Sequence, residues 1–106
     1  MKIGTHEVGK NNPTYIIAEM SANHAGDINR AKEIIHAAKE AGADCIKIQT
    51  YTPDTLTIDC DNQYFHIENG TWNGENLYQL YQKAYTPWDW QKELSDEAKI
   101  CGIDFF

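Results

Sequence analysis

The chain has 106 residues, 42% of them hydrophobic and 24% charged, and carries a net charge of −7. That length allows one domain at most, and the composition is that of a globular chain rather than a disordered one. The acidic balance offers no basic stripe to neutralise phosphates, which speaks against a nucleic-acid partner. No apolar run approaches the roughly 18 residues that a membrane span requires.

The opening Met1-Lys2-Ile3-Gly4 lacks the apolar stretch of a secretory leader. The three cysteines, Cys45, Cys60 and Cys101, form no Cys-x-x-Cys pair. They read as reduced thiols of a cytoplasmic protein, with packing or incidental roles.

The first strong element is Thr14-Tyr15-Ile16-Ile17-Ala18-Glu19-Met20, a near-continuous apolar run that predicts a strand buried on both faces. After a polar stretch, Ile28, Ala31, Ile34, Ile35 and Ala38 recur at helical spacing. Asp27 is the expected N-cap and Gly42 the expected glycine beyond the C-terminus, giving a helix over roughly 28–41. A second apolar strand, Asp44 to Thr50, follows at once. Strand, helix, strand with short connections predicts a βαβ unit with parallel strands.

The segment from Tyr51 to Tyr85 is less regular, with turns expected around 59–62 and 69–71 and a short amphipathic helix over 77–84. Thr86-Pro87-Trp88-Asp89 then combines an N-cap threonine, a proline at the first helical position and an acid at the third. It predicts a helix over roughly 87–101 that turns Trp90, Leu94, Ala98 and Cys101 inward and ends at Gly102. Ile103-Asp104-Phe105-Phe106 starts another strand.

One junction occurs twice. Ala38-Lys39 followed by Gly42 and Asp44 is repeated as Ala98-Lys99 followed by Gly102 and Asp104. Each copy holds a cation near a helix's negative end, a glycine free to take positive φ, and a strand start. Such a repeat is what a chain of βα units requires. The fold class expected is therefore α/β: the first β-α-β-α-β units of a (β/α)8 barrel, which needs about 250 residues when complete. A complete three-stranded domain is the competing reading, but it leaves Phe105 and Phe106 uncovered.

Barrel enzymes carry their chemistry at the C-terminal ends of the strands. Glu19, and then Asn23 and His24, stand at the end of the first strand; Lys47, Gln49 and Thr50 belong to the second. Alternation places Lys47 and Gln49 on one side of that strand together with Cys45. A charge inside an apolar strand is costly unless it is paired. One reading is a plain Glu19–Lys47 ion pair between strands. The other gives Lys47 a substrate phosphate or carboxylate and Glu19 a sugar hydroxyl or a proton, with Gln49 and Asn23 as neutral orienting groups. The two are compatible.

His24 can be a ligand, an acid/base group or a helix-entry residue bonded to backbone. His6, His36 and His66 show no partner pattern and read as surface residues. Asp59, Asp61 and His66 resemble a metal cluster only loosely, and a solvated loop is the preferred reading. Trp72, Tyr78, Tyr81, Tyr85, Trp88 and Trp90 read mostly as packing.

The runs 16–27 and 37–50 together resemble the sialic acid synthase family. The stretches 51–57, 70–72, 77–81 and 84–90 resemble its pseudaminic branch more than its N-acetylneuraminate branch. The resemblance implies a barrel followed by a small antifreeze-like domain in a domain-swapped homodimer. It implies condensation of phosphoenolpyruvate with an open-chain amino sugar, a 2,4-diacetamido-2,4,6-trideoxy-altrose, releasing phosphate. It also implies a divalent cation, Mn2+ or Mg2+, whose ligands lie outside these residues. Carried onto matching positions, Glu19 contacts the sugar, Lys47 binds phosphoenolpyruvate and Gln49 lines the same pocket. The alternatives are an N-acetylneuraminate synthase, a barrel aldolase using Lys47 as a Schiff-base nucleophile, and a non-catalytic truncated product. These residues alone are expected to be inactive and, with apolar faces uncovered, to aggregate or oligomerise.

Overall fold

The computed structural model describes residues 1–106. Three short strands, β3 (Ile17–Glu19), β4 (Cys45–Lys47) and β5 (Asp104–Phe105), form a parallel sheet in the order β3-β4-β5. They follow an antiparallel hairpin, β1 (Lys2–Ile3) with β2 (His6–Glu7), which the sequence does not announce. Each parallel strand lies beside its predecessor. Both long helices, α1 (Ile28–Glu40) and α4 (Gln91–Cys101), supply residues to one core on one face of the sheet. A doubly wound sheet reverses its strand order and carries helices on both faces, whereas a barrel winds in one direction with all helices outside. The winding here is that of the first units of a (β/α) barrel, as the sequence predicts.

The local chemistry behind α1 is as expected. Asp27 sits in extended backbone, and its carboxylate accepts from the backbone N–H groups of Asn29 at 2.8 Å and Arg30 at 3.5 Å. That arrangement satisfies donors the first helical turn leaves orphaned. Ala31 and Ile35 of α1 meet Leu94 and Ala98 of α4, all fully buried, over Met20, Ile46 and Ile48 of the strands. Burying one such Ile or Leu side chain contributes about 1.5–3 kcal/mol.

The repeated junction is one structure built twice. Gly42 N–H donates to the Lys39 carbonyl at 3.0 Å and Ala43 N–H to the Ala38 carbonyl at 3.0 Å. Sixty residues on, Gly102 N–H reaches the Lys99 carbonyl and Ile103 N–H the Ala98 carbonyl, both at 3.1 Å. Gly42 and Gly102 have φ of +94° and +72°, which a side chain would disfavour.

Between β4 and α4 the chain forms α2 (Pro53–Leu56), a 3-10 turn at Gln63–Phe65, and α3 (Leu77–Ala84). The first two are not foreseen; α3 is. Its start is held by a reciprocal box, with Asn76 Oδ1 accepting from Gln79 N–H at 2.9 Å and Gln79 Oε1 accepting from Asn76 N–H at 3.2 Å.

Two expectations are corrected. The run 14–20 predicts a strand covered on both faces, yet Ile17 is 46% exposed and Glu19 is exposed. Only the face carrying Ala18 and Met20 meets the helices; on the other, Cys45 is buried while Ile17 and Glu19 stay open. Thr86 is not a helix cap. It is fully buried, and the helix opens one turn later through a 3-10 segment, Trp88–Trp90. The open face shows in the dimensions: the radius of gyration is 16.4 Å, against about 13 Å for a closed domain of this length. No helix is long and apolar enough to cross a membrane.

Candidate functional site

The parallel register sets Ile17 opposite Cys45, Ala18 opposite Ile46 and Glu19 opposite Lys47. Since side chains alternate, Glu19, Lys47 and Gln49 emerge together on the face away from the helices, at the C-terminal ends of their strands. Lys47 Nζ donates to Glu19 Oε1 at 2.7 Å, and Gln49 Nε2 donates to the same oxygen at 2.5 Å. The hydrogen bond from Lys47, reinforced by its charge and by the Gln49 amide, holds the Glu19 carboxyl below its ordinary range. The group is therefore an ionised carboxylate with one oxygen held by two donors. The plain ion pair and the ligand-facing trio of the sequence reading coexist, but the pair is not buried: the Lys47 and Glu19 side chains are 32% and 43% exposed.

The other two expected site residues are engaged by other partners. Asn23 is exposed, and its Nδ2 donates to the Met20 carbonyl at 2.9 Å, closing the turn after β3 and leaving its oxygen for any ligand. Thr50 Oγ1 accepts from Gln91 Nε2 at 2.6 Å, which ties the end of the β4 strand to the start of α4. Neither touches Glu19 or Lys47 directly.

His24 takes the structural role. Its ring is fully buried, Nδ1 accepts from Gly26 N–H at 3.0 Å, and Nε2 lies 3.2 Å from Thr86 Oγ1. With Nδ1 an acceptor, the proton sits on Nε2 and is donated to Thr86. Burial lowers the imidazole's pKa and keeps it neutral. Trp90 packs edge-on to it, with ring centroids 5.3 Å apart.

Several contributors escape the sequence reading. Thr86 N–H donates to the Gln49 carbonyl at 2.9 Å, so one residue pins both strand ends by backbone and side chain. Ser21 and Ala25, with φ of +51° and +50°, place left-handed backbone in the loop beside Glu19, where only Gly26, at +74°, is a residue type that signals it. Tyr51 follows Thr50 and packs against Tyr81 and Tyr85, with ring centroids 5.6 and 6.2 Å away. Trp88, one of the six aromatics read mostly as packing, is 65% exposed.

The remaining histidines lie at the surface, as the sequence reading has them, but each has a carboxylate partner that the sequence does not show. His66 Nε2 lies 2.7 Å from Asp61 Oδ1, and His36 Nε2 lies 2.6 Å from Glu97 Oε1. His6 stands 3.4 Å from Asp104 and 3.8 Å from Asp44, at the opposite end of the sheet. There Tyr15 O–H also donates to Asp104 at 2.7 Å, and Ile16 N–H to Asp44 at 2.8 Å. Gly4 of the hairpin approaches so closely that a Cβ would lie 3.1 Å from Asp104 Oδ2. Long-range pairs of this kind have no spacing signature in a sequence.

The residues around Glu19 do not suit a divalent cation. They offer one carboxylate, already shared with an ammonium group, where such a site wants several hard oxygens or imidazoles. They suit an anion beside a hydrogen-bonding polyol.

The NeuB family profile matches residues 34–106. The pseudaminic acid synthase of Campylobacter jejuni is 48% identical over 97% of this chain, and that of Helicobacter pylori 49% identical over 89%. The chain spans 29% and 28% of the length of these relatives. Among solved structures, the N-acetylneuraminic acid (sialic acid) synthetase of Leptospira borgpetersenii superposes with a TM-score of 0.76 at 28% identity, covering all of this chain and 32% of that one. A one-way parallel sheet with helices on one face, a match over residues 34–106 and identities near one half lead to a single assignment: the chain belongs to the NeuB family.

Proposed function

We propose that this chain is the first part of a pseudaminic acid synthase, which joins phosphoenolpyruvate to a 2,4-diacetamido-2,4,6-trideoxy-altrose. The methylene carbon of phosphoenolpyruvate forms a bond to the sugar's aldehyde carbon, one water is consumed and inorganic phosphate leaves. The observation that carries the reading is the Glu19 carboxylate held by Lys47 and Gln49 on an open strand-end face. Lys47 is the one cation of that trio and takes the phosphate or carboxylate of phosphoenolpyruvate. Glu19, released in part from Lys47 by the incoming anion, accepts from an acceptor-sugar hydroxyl. Gln49 keeps the carboxylate oriented through this exchange, and the Asn23 oxygen and the Thr50 hydroxyl add neutral contacts. The similarity to two synthases of this name supports the choice of acceptor.

The Mn2+ or Mg2+ that the resemblance implies is held by residues other than these, a reading that the single carboxylate at Glu19, already paired with Lys47, supports. The working protein is a cytoplasmic homodimer in which further βα units cover the open sheet face. These 106 residues alone do not turn over. Phosphate release from phosphoenolpyruvate plus the acceptor sugar, measured on the family-length protein and on the 106-residue chain, tests both parts. No release by the longer protein overturns the reaction, and turnover by the short chain overturns the requirement for more barrel.

A further inference from the structure

The outer seam between α1 and α4 is stitched by a ladder of polar contacts. Lys32 pairs with Glu93, His36 with Glu97 one turn on, and Lys39 Nζ donates to the Gly102 carbonyl at 2.8 Å. The middle rung differs from the others in holding a thiol. Cys101 Sγ lies 3.2 Å from His36 Nδ1 and 3.5 Å from Nε2, so imidazole, carboxylate and thiol converge on one point. Their ligand atoms all lie within 4.8 Å of one another.

We propose that His36, Glu97 and Cys101 form a zinc site that clamps α1 to α4. Glu97 and Cys101 are four residues apart on one helix and so share a face, and His36 comes from the helix packed against it. Bonds of about 2.0–2.3 Å at a tetrahedral centre set ligand atoms about 3.3–3.6 Å apart. The Sγ–Nε2 separation of 3.5 Å has that value, while Sγ at 3.2 Å from Nδ1 stands over the ring face, so the imidazole must turn to aim Nε2 at the ion. The Nε2–Oε1 contact of 2.6 Å is a hydrogen bond and opens by less than an ångström, within reach of a rotamer adjustment, as the ion replaces the proton.

The donor set, one sulfur, one nitrogen and one oxygen, suits borderline Zn2+ and excludes Mg2+ or Ca2+, which prefer oxygen alone. On binding, the Cys101 S–H proton passes to solvent as the S–Zn bond forms, and Glu97 and neutral Nε2 each give a lone pair. With the His36 side chain 55% exposed, water completes the fourth position. Lys32 and Lys39 flank the site, but their charges are engaged by Glu93 and by the Gly102 carbonyl. The cluster lies on the helices that cover the sheet face opposite Glu19 and Lys47, so it takes no part in the reaction proposed above and stands without it.

Cobalt(II) titration of the metal-free protein tests the site, because a thiolate ligand gives an intense near-ultraviolet charge-transfer band that an all-histidine or carboxylate site does not. One equivalent should raise the band in the wild type and in Cys60→Ser, and none should arise in Cys101→Ser. Zinc should raise the wild-type Tm and leave that of Cys101→Ser unmoved. His36→Gln can still hydrogen-bond Glu97 but loses the imidazole ligand. Its apparent zinc affinity should fall at least about tenfold, the lower end of what removing an outer partner alone costs a metal site. No band in the wild type, a band that survives Cys101→Ser, or an unchanged affinity in His36→Gln overturns the proposal.

Discussion

Glu19 and Lys47 are register partners in neighbouring parallel strands, and Lys47 Nζ meets Glu19 Oε1 at 2.7 Å. Twenty-eight residues apart in the chain, they become a pair only because β3 and β4 lie side by side. Replacing Lys47 by Met removes the donor and charge that lower the Glu19 pKa. The carboxyl should then titrate closer to its ordinary value, as followed by carboxyl-carbon NMR. The sign is fixed by the direction of the shift. A depressed carboxyl contributes its stability above the ordinary carboxylate range and loses it as pH falls through the lowered value. An unmoved titration in Lys47→Met would mean that the pair does not form in solution.

In the family-length protein, the same Lys47→Met change should lower kcat/KM for phosphoenolpyruvate by at least about 100-fold, the usual effect of removing a preorganised charge at a reacting oxyanion. Gln49→Ala should cost less, since Lys47 still holds Glu19. Steady-state phosphate release with each variant checks the order. Equal losses would argue that Lys47 does not receive the anion.

His24 gives a pH signature of a different kind. Its folded pKa is lowered by burial from an ordinary 6.5, so the unfolded chain takes up a proton that the folded chain refuses. Stability is therefore full above about pH 6.5 and declines as pH falls through that value toward the lowered folded one. His24→Gln should flatten that decline, measured as Tm between about pH 5 and 7. The other three histidines are common to both proteins and cancel in the comparison.

Leu94 is fully buried where α4 meets the sheet. Leu94→Ala should cost about 2–5 kcal/mol, because close-packed surroundings do not collapse into the space left behind. The midpoint of urea unfolding gives the figure, and a loss below about 1 kcal/mol would mean that the seam is loosely packed.

The α1 cap supplies a smaller test with a built-in control. Asp27→Ala should lose about 1 kcal/mol, and Asp27→Asn should retain most of it, since either oxygen can accept from Asn29 N–H. Equal losses in the two variants would assign the effect to charge rather than to the cap.

Much of the local architecture is written in the sequence. Asp27, Gly42 and Gly102 bound their helices by chemistry that acts over three or four residues, and the period of Ile28, Ala31 and Ile35 marks the buried stripe. The repeated Ala-Lys-x-x-Gly-x-Asp junction announces parallel βα units because each copy carries its own hydrogen bonds. The same local reasoning failed at Thr86. A helix cap and a buried hydroxyl look alike in a sequence, and the His24 ring that claims the hydroxyl lies 62 residues away.

What the sequence by itself determined was the class of unit, its strand-end residues and the family they resemble. Tertiary structure alone decided which of those residues meet. Register places Glu19 against Lys47, and Gln49 then reaches the same carboxylate oxygen, while Asn23 is turned to the Met20 carbonyl and Thr50 to Gln91. It also brought together His36, Glu97 and Cys101, which nothing in the chain links to one another, because helix packing sets distances between residues that spacing does not relate. Short-range hydrogen bonds and periodicity are properties of neighbours in sequence. A site is a property of neighbours in space.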